Sequence, residues 1–257
     1  MLQKVKIEEI LPVVIEAGNA VMEIYKRPFK VEVKDDRSPL TEADKKSNEI
    51  LVERLQNLYP EIPFITEESK HTHFEQRRDW DYLWLIDPLD GTKEFIKRNG
   101  EFTINVALIR RGEPVLGVIY VPDQNILYYS KQGNGSFKID AGGSTLQIQA
   151  REKPALNKLV VVGSRSHASD ELYEFIRQQE LKYDKVELIS SGSSLKFCLV
   201  AEGLADLYLR TGPTMEWDTA AGHAVVIESG KQVYHYKTNE ILRYNKENLR
   251  NDWFIVK

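Results

Sequence analysis

Within six residues the chain sets Asp87, Asp90 and Thr92 around Pro88, Leu89 and Gly91, directly after the apolar stretch Tyr82-Leu83-Trp84-Leu85-Ile86. Two carboxylates plus the Leu89 backbone carbonyl make three oxygen donors in four residues, the hard-donor set that suits Mg²⁺. The apolar stretch is too short to span a membrane and is rich in aromatic and β-branched residues, so it reads as a buried strand. A residue before proline is biased toward extended backbone, and the strand is expected to end at Asp87. Gly91 lets the backbone approach a ligand closely. Thr92 to Arg98 reads as the first turns of a helix whose free N–H groups would face an anion. A plainer reading has Asp90 simply capping that helix.

Three further groups are candidates for the same chemistry. Thr66-Glu67-Glu68-Ser69 follows an expected strand over Ile62 to Ile65, so its carboxylates emerge at a strand end as those of Asp87 and Asp90 do; an exposed acidic loop is the alternative. Trp217-Asp218-Thr219-Ala220-Ala221-Gly222 opens the last long helix. Asp218 suits an N-cap there, and the small residues permit close approach of another element or a ligand. Thr41-Glu42-Ala43-Asp44 reads as a capping box, whose Asp44 could also act as a base.

Periodicity and breakers outline the elements that must position these residues. Ile7, Ile10, Leu11, Val14, Ala17, Val21 and Ile24 fall at helical spacing and predict a long helix ending before Pro28. A short strand over Val31 to Val33 and a helix from Glu42 to Leu58, between Thr41 and Pro60, follow. From Phe102 to Ile139 strand-like runs alternate with turn signals at Arg111-Gly112-Glu113 and Gly133-Asn134-Gly135, an antiparallel meander. Beyond Pro154 strands (Leu159 to Val162, Val186 to Ile189, Asp206 to Leu209) alternate with helices (Asp170 to Gln179, Ser193 to Glu202, Thr219 to Glu228). The change of rhythm divides the chain into an α+β lobe over 1–152, with an antiparallel sheet, and an α/β lobe over 153–257.

Composition narrows the function classes. With 257 residues and 42% hydrophobic content the chain can bury a substantial core. A net charge of −4 with interspersed signs gives no basic stripe, which argues against a polymeric nucleic acid as partner. The single Cys198, in the apolar run Phe197-Cys198-Leu199-Val200, reads as a buried thiol and rules out an intramolecular disulfide. The N-terminus shows no apolar signal core and no segment reaches membrane-spanning length, so a cytoplasmic protein is expected. Nothing in the chain specifies an oligomeric state.

Glu67-Glu68, Asp87 to Thr92 and Trp217 to Gly222, in this order and spacing, resemble the inositol monophosphatase superfamily of magnesium-dependent, lithium-sensitive phosphatases, across nearly the whole chain. Within it, the stretches Asp87 to Phe102 and Gly192 to Gly203 are similar to bacterial 3'(2'),5'-bisphosphate nucleotidases of the CysQ type. The resemblance implies a layered αβαβα sugar-phosphatase fold with two lobes. It also implies hydrolysis of adenosine 3',5'-bisphosphate to AMP and phosphate by metal-activated water, a step that clears a by-product of sulfate assimilation. Mg²⁺, as two or three ions, is the implied cofactor, and a small nucleotide bisphosphate the implied partner. Some relatives associate with the inner membrane face, which leaves peripheral attachment open.

Carried over residue by residue, Glu67, Asp87 and the Leu89 carbonyl match a first Mg²⁺ site, and Asp87, Asp90 and Asp218 a second, with Asp87 bridging. Asp44 and Thr92 match the pair that orients and deprotonates the attacking water, which Glu67 also serves; Glu68 has no defined role. Backbone N–H groups near Gly91 and Thr92 would hold the transferred phosphate. His167, Ser193, Lys196 and Arg210 match a clamp for the 5'-phosphate, and Asp218 would also face substrate. No covalent phosphoenzyme is expected. An inositol or sugar monophosphate phosphatase, and a non-catalytic nucleotide or metal binder, are the alternatives; the presence of both Asp44 and Thr92 speaks against the binder.

Overall fold

A computed structural model describes residues 1–33, 39–68, 72–154, 157–164 and 169–257. The chain starts with α1 (Ile7–Tyr25), whose Ile10, Val13, Val14, Ala17, Val21 and Ile24 form a buried stripe. β1 (Val31–Val33) and β2 (Pro39–Thr41) pair antiparallel and lead into α2 (Glu42–Leu58). Then come β3 (Phe64–Thr66), α3 (Phe74–Arg77), β4 (Tyr82–Asp90), α4 (Thr92–Ile96), β5 (Thr103–Arg110), β6 (Glu113–Val121), β7 (Ile126–Lys131), β8 (Gly135–Ile139) and β9 (Thr145–Ile148). These strands form a seven-stranded sheet in sequence order, antiparallel except for the parallel pair β3 and β4.

The chain continues through β10 (Lys158–Ser164), α5 (Asp170–Glu180), β11 (Lys185–Ser191), α6 (Leu195–Ala201), β12 (Leu207–Arg210), β13 (Thr214–Met215), α7 (Glu216–Glu228), β14 (Val233–His235), β15 (Arg250–Asn251) and β16 (Phe254–Val256). A second sheet has the order β11-β10-β12-β16-β14, with the first three strands parallel and the last two antiparallel to their neighbours. β13 and β15 form a separate two-stranded ribbon.

Five layers result. Alternate residues of β4 point to opposite faces: Trp84 and Ile86 join α1 and α2 in one core, while Leu83 and Leu85 join α6, α7 and the second sheet in another. A third core, with Leu159 and Val161 against Leu172 and Phe175, seats α5 on the far side of the second sheet. The order α1/α2, sheet, α6/α7, sheet, α5 is the αβαβα arrangement expected. The small residues at the start of α7 serve this packing. A Cβ on Gly117 would meet the Ala221 carbonyl at 2.4 Å, and one on Gly222 would meet Phe197 at 2.4 Å, so α7 lies flush between β6 and α6.

Several boundaries differ from the sequence reading. β4 continues past Asp87 to Asp90, because β5 resumes pairing at Thr103 opposite Asp90 after a register shift that accommodates Pro88 and Leu89. α4 ends at Ile96, and its N-cap is Gly91, at φ 91°, so Asp90 does not cap it. α6 starts at Leu195, leaving Ser193 in the preceding turn. α7 starts at Glu216, which makes Asp218 its third residue and Met215 its N-cap. The short elements β2, α3, β9 and β13 to β16 were not anticipated, because each is too brief to carry a period. Among the described residues no helix is long and apolar enough to cross a membrane.

Candidate active site

The acidic turn is fixed from both sides of one peptide. The Leu89 N–H donates to Asp87 Oδ1 at 3.0 Å, and Ser47 Oγ on α2 donates to the Pro88 carbonyl at 2.7 Å. The carbonyl and the N–H belong to the same Pro88–Leu89 unit, whose orientation sets where Leu89 points its own carbonyl.

Glu67 and Asp218 arrive from distant parts of the chain. β3 runs parallel to β4 with Thr66 opposite Ile86, and the Glu67 N–H donates to the Ile86 carbonyl at 3.2 Å, so Glu67 leaves its strand beside Asp87. Asp218 comes from the first turn of α7, where its Oδ2 accepts the Met215 N–H at 2.8 Å. Asn251 braces this turn by donating to the Met215 carbonyl at 3.0 Å and to Thr219 Oγ1 at 3.0 Å. Glu67, Asp87 and Asp218 each offer a carboxylate oxygen within 4.8 Å of the others. Asp90 and Leu89 line the same cavity, of 370 Å³.

Asp44 and Thr92 meet at the edge of this cluster, with Thr92 Oγ1 3.2 Å from Asp44 Oδ1 and 3.3 Å from the Leu89 carbonyl. Asp44 also completes the capping box read from the sequence, its Oδ2 accepting the Thr41 N–H at 2.7 Å and the Thr41 hydroxyl at 2.6 Å. One face of α2 therefore touches three parts of the site: Asp44 meets Thr92, Ser47 meets Pro88, and Asn48 pairs with Thr66 next to Glu67.

The electrostatics call for cations. Glu67, Asp87, Asp90, Glu94 and Asp218 line the cavity against Lys93, Lys196 and Arg210. Burial, then Glu67, Asp90 and Asp218, push the Asp87 carboxyl well above its usual range; burial, then Asp90 and Glu67, do the same to Asp218. Asp90 rises to about 6, chiefly through burial, although Lys196 pulls the other way. Carboxylates crowded so that each resists its neighbours' ionisation, all with oxygen donors, fit a hard divalent cation, whose charge would reverse these shifts.

Ser193, Lys196 and Arg210 stand in the lining of the same cavity, with Gly192 and Tyr208. Lys196 is 4% exposed, its Nζ donating to the Ser191 carbonyl at 3.3 Å and to the Ser193 carbonyl. Burial lowers its pKa to about 8, with Asp90 opposing and Arg210 adding to the shift. Arg210 donates to the carbonyls of Gly212 and Pro213. Of the residues singled out from the sequence, Glu67, Asp87, Leu89, Asp90, Gly91, Thr92, Ser193, Lys196, Arg210 and Asp218 line one cavity, with Asp44 behind Thr92. His167 and Ser69 lie outside the described residues. The sequence reading missed Ser47, Asn251 and the buried Glu94; Ser47 alone was findable, as the residue three after Asp44 on the same helix face.

Residues 3–252 match the inositol monophosphatase family. The chain belongs to that family. Its relatives in the family include the 3'(2'),5'-bisphosphate nucleotidase CysQ of Salmonella typhimurium, 44% identical over 252 residues that cover 97% of this chain and 98% of the relative. The crystal structure of CysQ from Bacteroides thetaiotaomicron, a bacterial member of the family, superposes with a TM-score of 0.87 at 44% identity, covering 97% of this chain and 96% of that one. An IMPase of Thermotoga maritima, at 25% identity, shares the fold with a TM-score of 0.77 over 96% of this chain and 89% of its own. The family is metal-dependent, and among the described residues Glu67, Asp87 and Asp218 form an acidic cluster that could hold a metal.

Proposed function

We propose that the chain is a Mg²⁺-dependent 3'(2'),5'-bisphosphate nucleotidase that hydrolyses the 3'-phosphate of adenosine 3',5'-bisphosphate to AMP and phosphate, acting in sulfur metabolism in the cytoplasm. The observation that carries this reading is one cavity whose lining holds two chemically opposite groups, a carboxylate cluster and the cations Lys196 and Arg210. A phosphate monoester alone needs only the first group; a second phosphate gives the second its purpose. The names of the relatives at 44% identity point the same way.

Glu67, Asp87, the Leu89 carbonyl, Asp90 and Asp218 would hold two or three Mg²⁺ ions. Bound there, Mg²⁺ would cancel the carboxylates' charge, lower the pKa of a water and stabilise the leaving oxygen. Thr92 orients the attacking water through its hydroxyl, and Asp44 receives the proton by way of Thr92. Asp44 has the geometry for this because its other oxygen is pinned by Thr41. Backbone N–H groups at Gly91 and Thr92 bind the transferred phosphate. Ser193, Lys196, Arg210 and His167 grip the 5'-phosphate. The two-lobe division at 1–152 and 153–257 belongs to this reading: the first large sheet ends with Ile148 and the second begins with Lys158.

Phosphate release from adenosine 3',5'-bisphosphate, its 2',5' isomer, adenosine 3'-monophosphate and inositol 1-phosphate, with Mg²⁺ and with chelator, tests the proposal. The bisphosphate should be turned over fastest, and only with metal. Faster hydrolysis of the inositol ester would replace this substrate with a sugar phosphate, and no hydrolysis of any ester would leave a binding protein.

A further inference from the structure

The acidic turn on β4 and the turn Gly192–Ser194 lie far apart in the chain, and one strand, β5, joins them. Just before and within β5, the alternate residues Glu101, Thr103 and Asn105 all reach the turn Gly192–Ser194. Glu101 Oε2 accepts the Gly192 N–H at 2.9 Å. Thr103 Oγ1 pairs with Ser193 Oγ at 3.0 Å and with Ser194 Oγ at 2.8 Å. Ser194 Oγ donates to Asn105 Oδ1 at 2.8 Å. Residues two apart on an extended strand share a face, so three successive same-face positions serve one turn. The same strand is in register with the acidic turn: Asn105 lies opposite Asp87 and Thr103 opposite Asp90.

We propose that Glu101, Thr103 and Asn105 are positioning residues that fix the span between the carboxylate cluster and the phosphate clamp, and so select a substrate with two phosphates at a set separation. The inference rests on the clamp assigned above. Its physical basis is the dryness and strain of the contact. Thr103, Asn105 and Ser194 are at most 1% exposed, so these hydrogen bonds face no competition from water. Ser193 holds φ at +40°, in a region that non-glycine residues avoid and that persists only when its surroundings impose it. The turn has no room to drift. A Cβ on Gly192 would meet Glu101 Cβ and its carbonyl oxygen at 2.8 Å, and one on Gly91 would meet Ser193 Cβ at 3.2 Å. The carbonyl of Ser193 in this turn, with that of Ser191 at the end of β11, aims the Lys196 ammonium. Displacing the turn therefore displaces the cation that a second phosphate would meet, while Glu67, Asp87 and Asp218 stay with β3, β4 and α7, and Asp90 touches the turn by accepting the Ser194 N–H.

The test is a ratio: kcat/KM for adenosine 3',5'-bisphosphate divided by kcat/KM for adenosine 3'-monophosphate, which lacks the clamped group. Thr103→Val, which keeps the shape and removes the hydroxyl, should lower this ratio at least tenfold. Glu101→Ala, at a more exposed position, should lower it as well, and Thr103→Ser should restore it. Calorimetric binding of AMP in the presence of chelator should weaken in parallel, since AMP retains the 5'-phosphate. A wild-type ratio near one would remove the clamp itself. A wild-type preference that survives intact in both variants, or an equal fall for both substrates, would overturn the positioning role and leave the clamp standing.

Discussion

Replacing Asp44 with asparagine separates the two roles of this carboxylate. Thr41 presents both its N–H, at 2.7 Å, and its hydroxyl, at 2.6 Å, to Asp44 Oδ2. The amide oxygen of an asparagine must therefore stay on that side, which turns its NH₂ toward Thr92 Oγ1, where Asp44 Oδ1 now accepts at 3.2 Å. A donor then replaces an acceptor, Thr92 can no longer pass a proton on, and its own hydrogen is driven toward the Leu89 carbonyl or the cavity. Loss of a positioned base typically lowers the rate by about 10²–10⁴, or roughly 3 to 5 kcal/mol of barrier. The cap itself survives through the amide oxygen, so the loss of stability should stay within about 1 kcal/mol. Steady-state kcat at saturating Mg²⁺, AMP binding by calorimetry and a thermal melt distinguish these effects. The expected pattern is a collapse of kcat with binding and melting temperature nearly unchanged. A folded variant that turns over within tenfold of the wild type would refute the proton path.

Three other outcomes follow from the geometry. Ser47→Ala strands the buried Pro88 carbonyl at a cost of about 1 to 3 kcal/mol and frees the peptide that aims Leu89; the Mg²⁺ concentration needed for half-maximal stabilisation in a melt should rise, and an unchanged value would count against Leu89 as a ligand. Mg²⁺ at about 100 times its dissociation constant should stabilise the protein by about 2.7 kcal/mol at pH 8. The gain should be smaller at pH 5, where protons on Asp87, Asp90 and Asp218 compete with the ion, as equal melting shifts at both values would deny. His223 is held at about 4 by burial, against an ordinary 6.5. The native state thus binds fewer protons than the unfolded chain between those values, and the stability present above pH 6.5 should be lost as pH falls through 4, by up to about 3 kcal/mol. His223→Gln should flatten denaturant-derived stability over that window; a profile as steep as the wild type's would assign the loss elsewhere.

The chemistry of the site was legible because its donors cluster in short segments. Asp87, Leu89, Asp90 and Thr92 sit within six residues, and no long-range fact is needed to see oxygen ligands beside a helix start. The layers were legible from the periodic stretch of α1, from the boundary residues Thr41 and Pro60 around α2, and from the meander beginning at β5. What stayed hidden depends on register. That β4 extends through Asp90 follows from Thr103 pairing beyond the bulge, and nothing local to Pro88 reveals it. Ser193 looked like part of a helix because its neighbours favour one, but the turn held by Thr103 and Glu101 overrides that propensity. The late strands β14 and β16 are three residues each: β16 adds to the edge of β12, and β14 adds to β16.

Whether an aspartate here caps a helix or serves the site is a question with two true answers. Asp44 and Asp218 are both the third residue of a helix, each reaching back with one oxygen to the N–H of the residue before the first turn. Asp87 uses one oxygen in the same way, on the Leu89 N–H. The backbone contact locks the carboxylate's rotamer, and a carboxylate has a second oxygen to offer. The local environment is favourable as well, since the N-terminal end of a helix stabilises negative charge and so offsets part of the repulsion among the crowded acids. Local structure therefore fixes these side chains before any ligand arrives, which is what a site built from segments as far apart as Asp44, Asp87 and Asp218 requires. An alanine at Asp44 or Asp218 would remove a cap and a functional oxygen together, and one at Asp87 would remove the acceptor of the Leu89 N–H along with its functional oxygen. Asparagine, which keeps the backbone contact, is the substitution that exposes the chemistry alone.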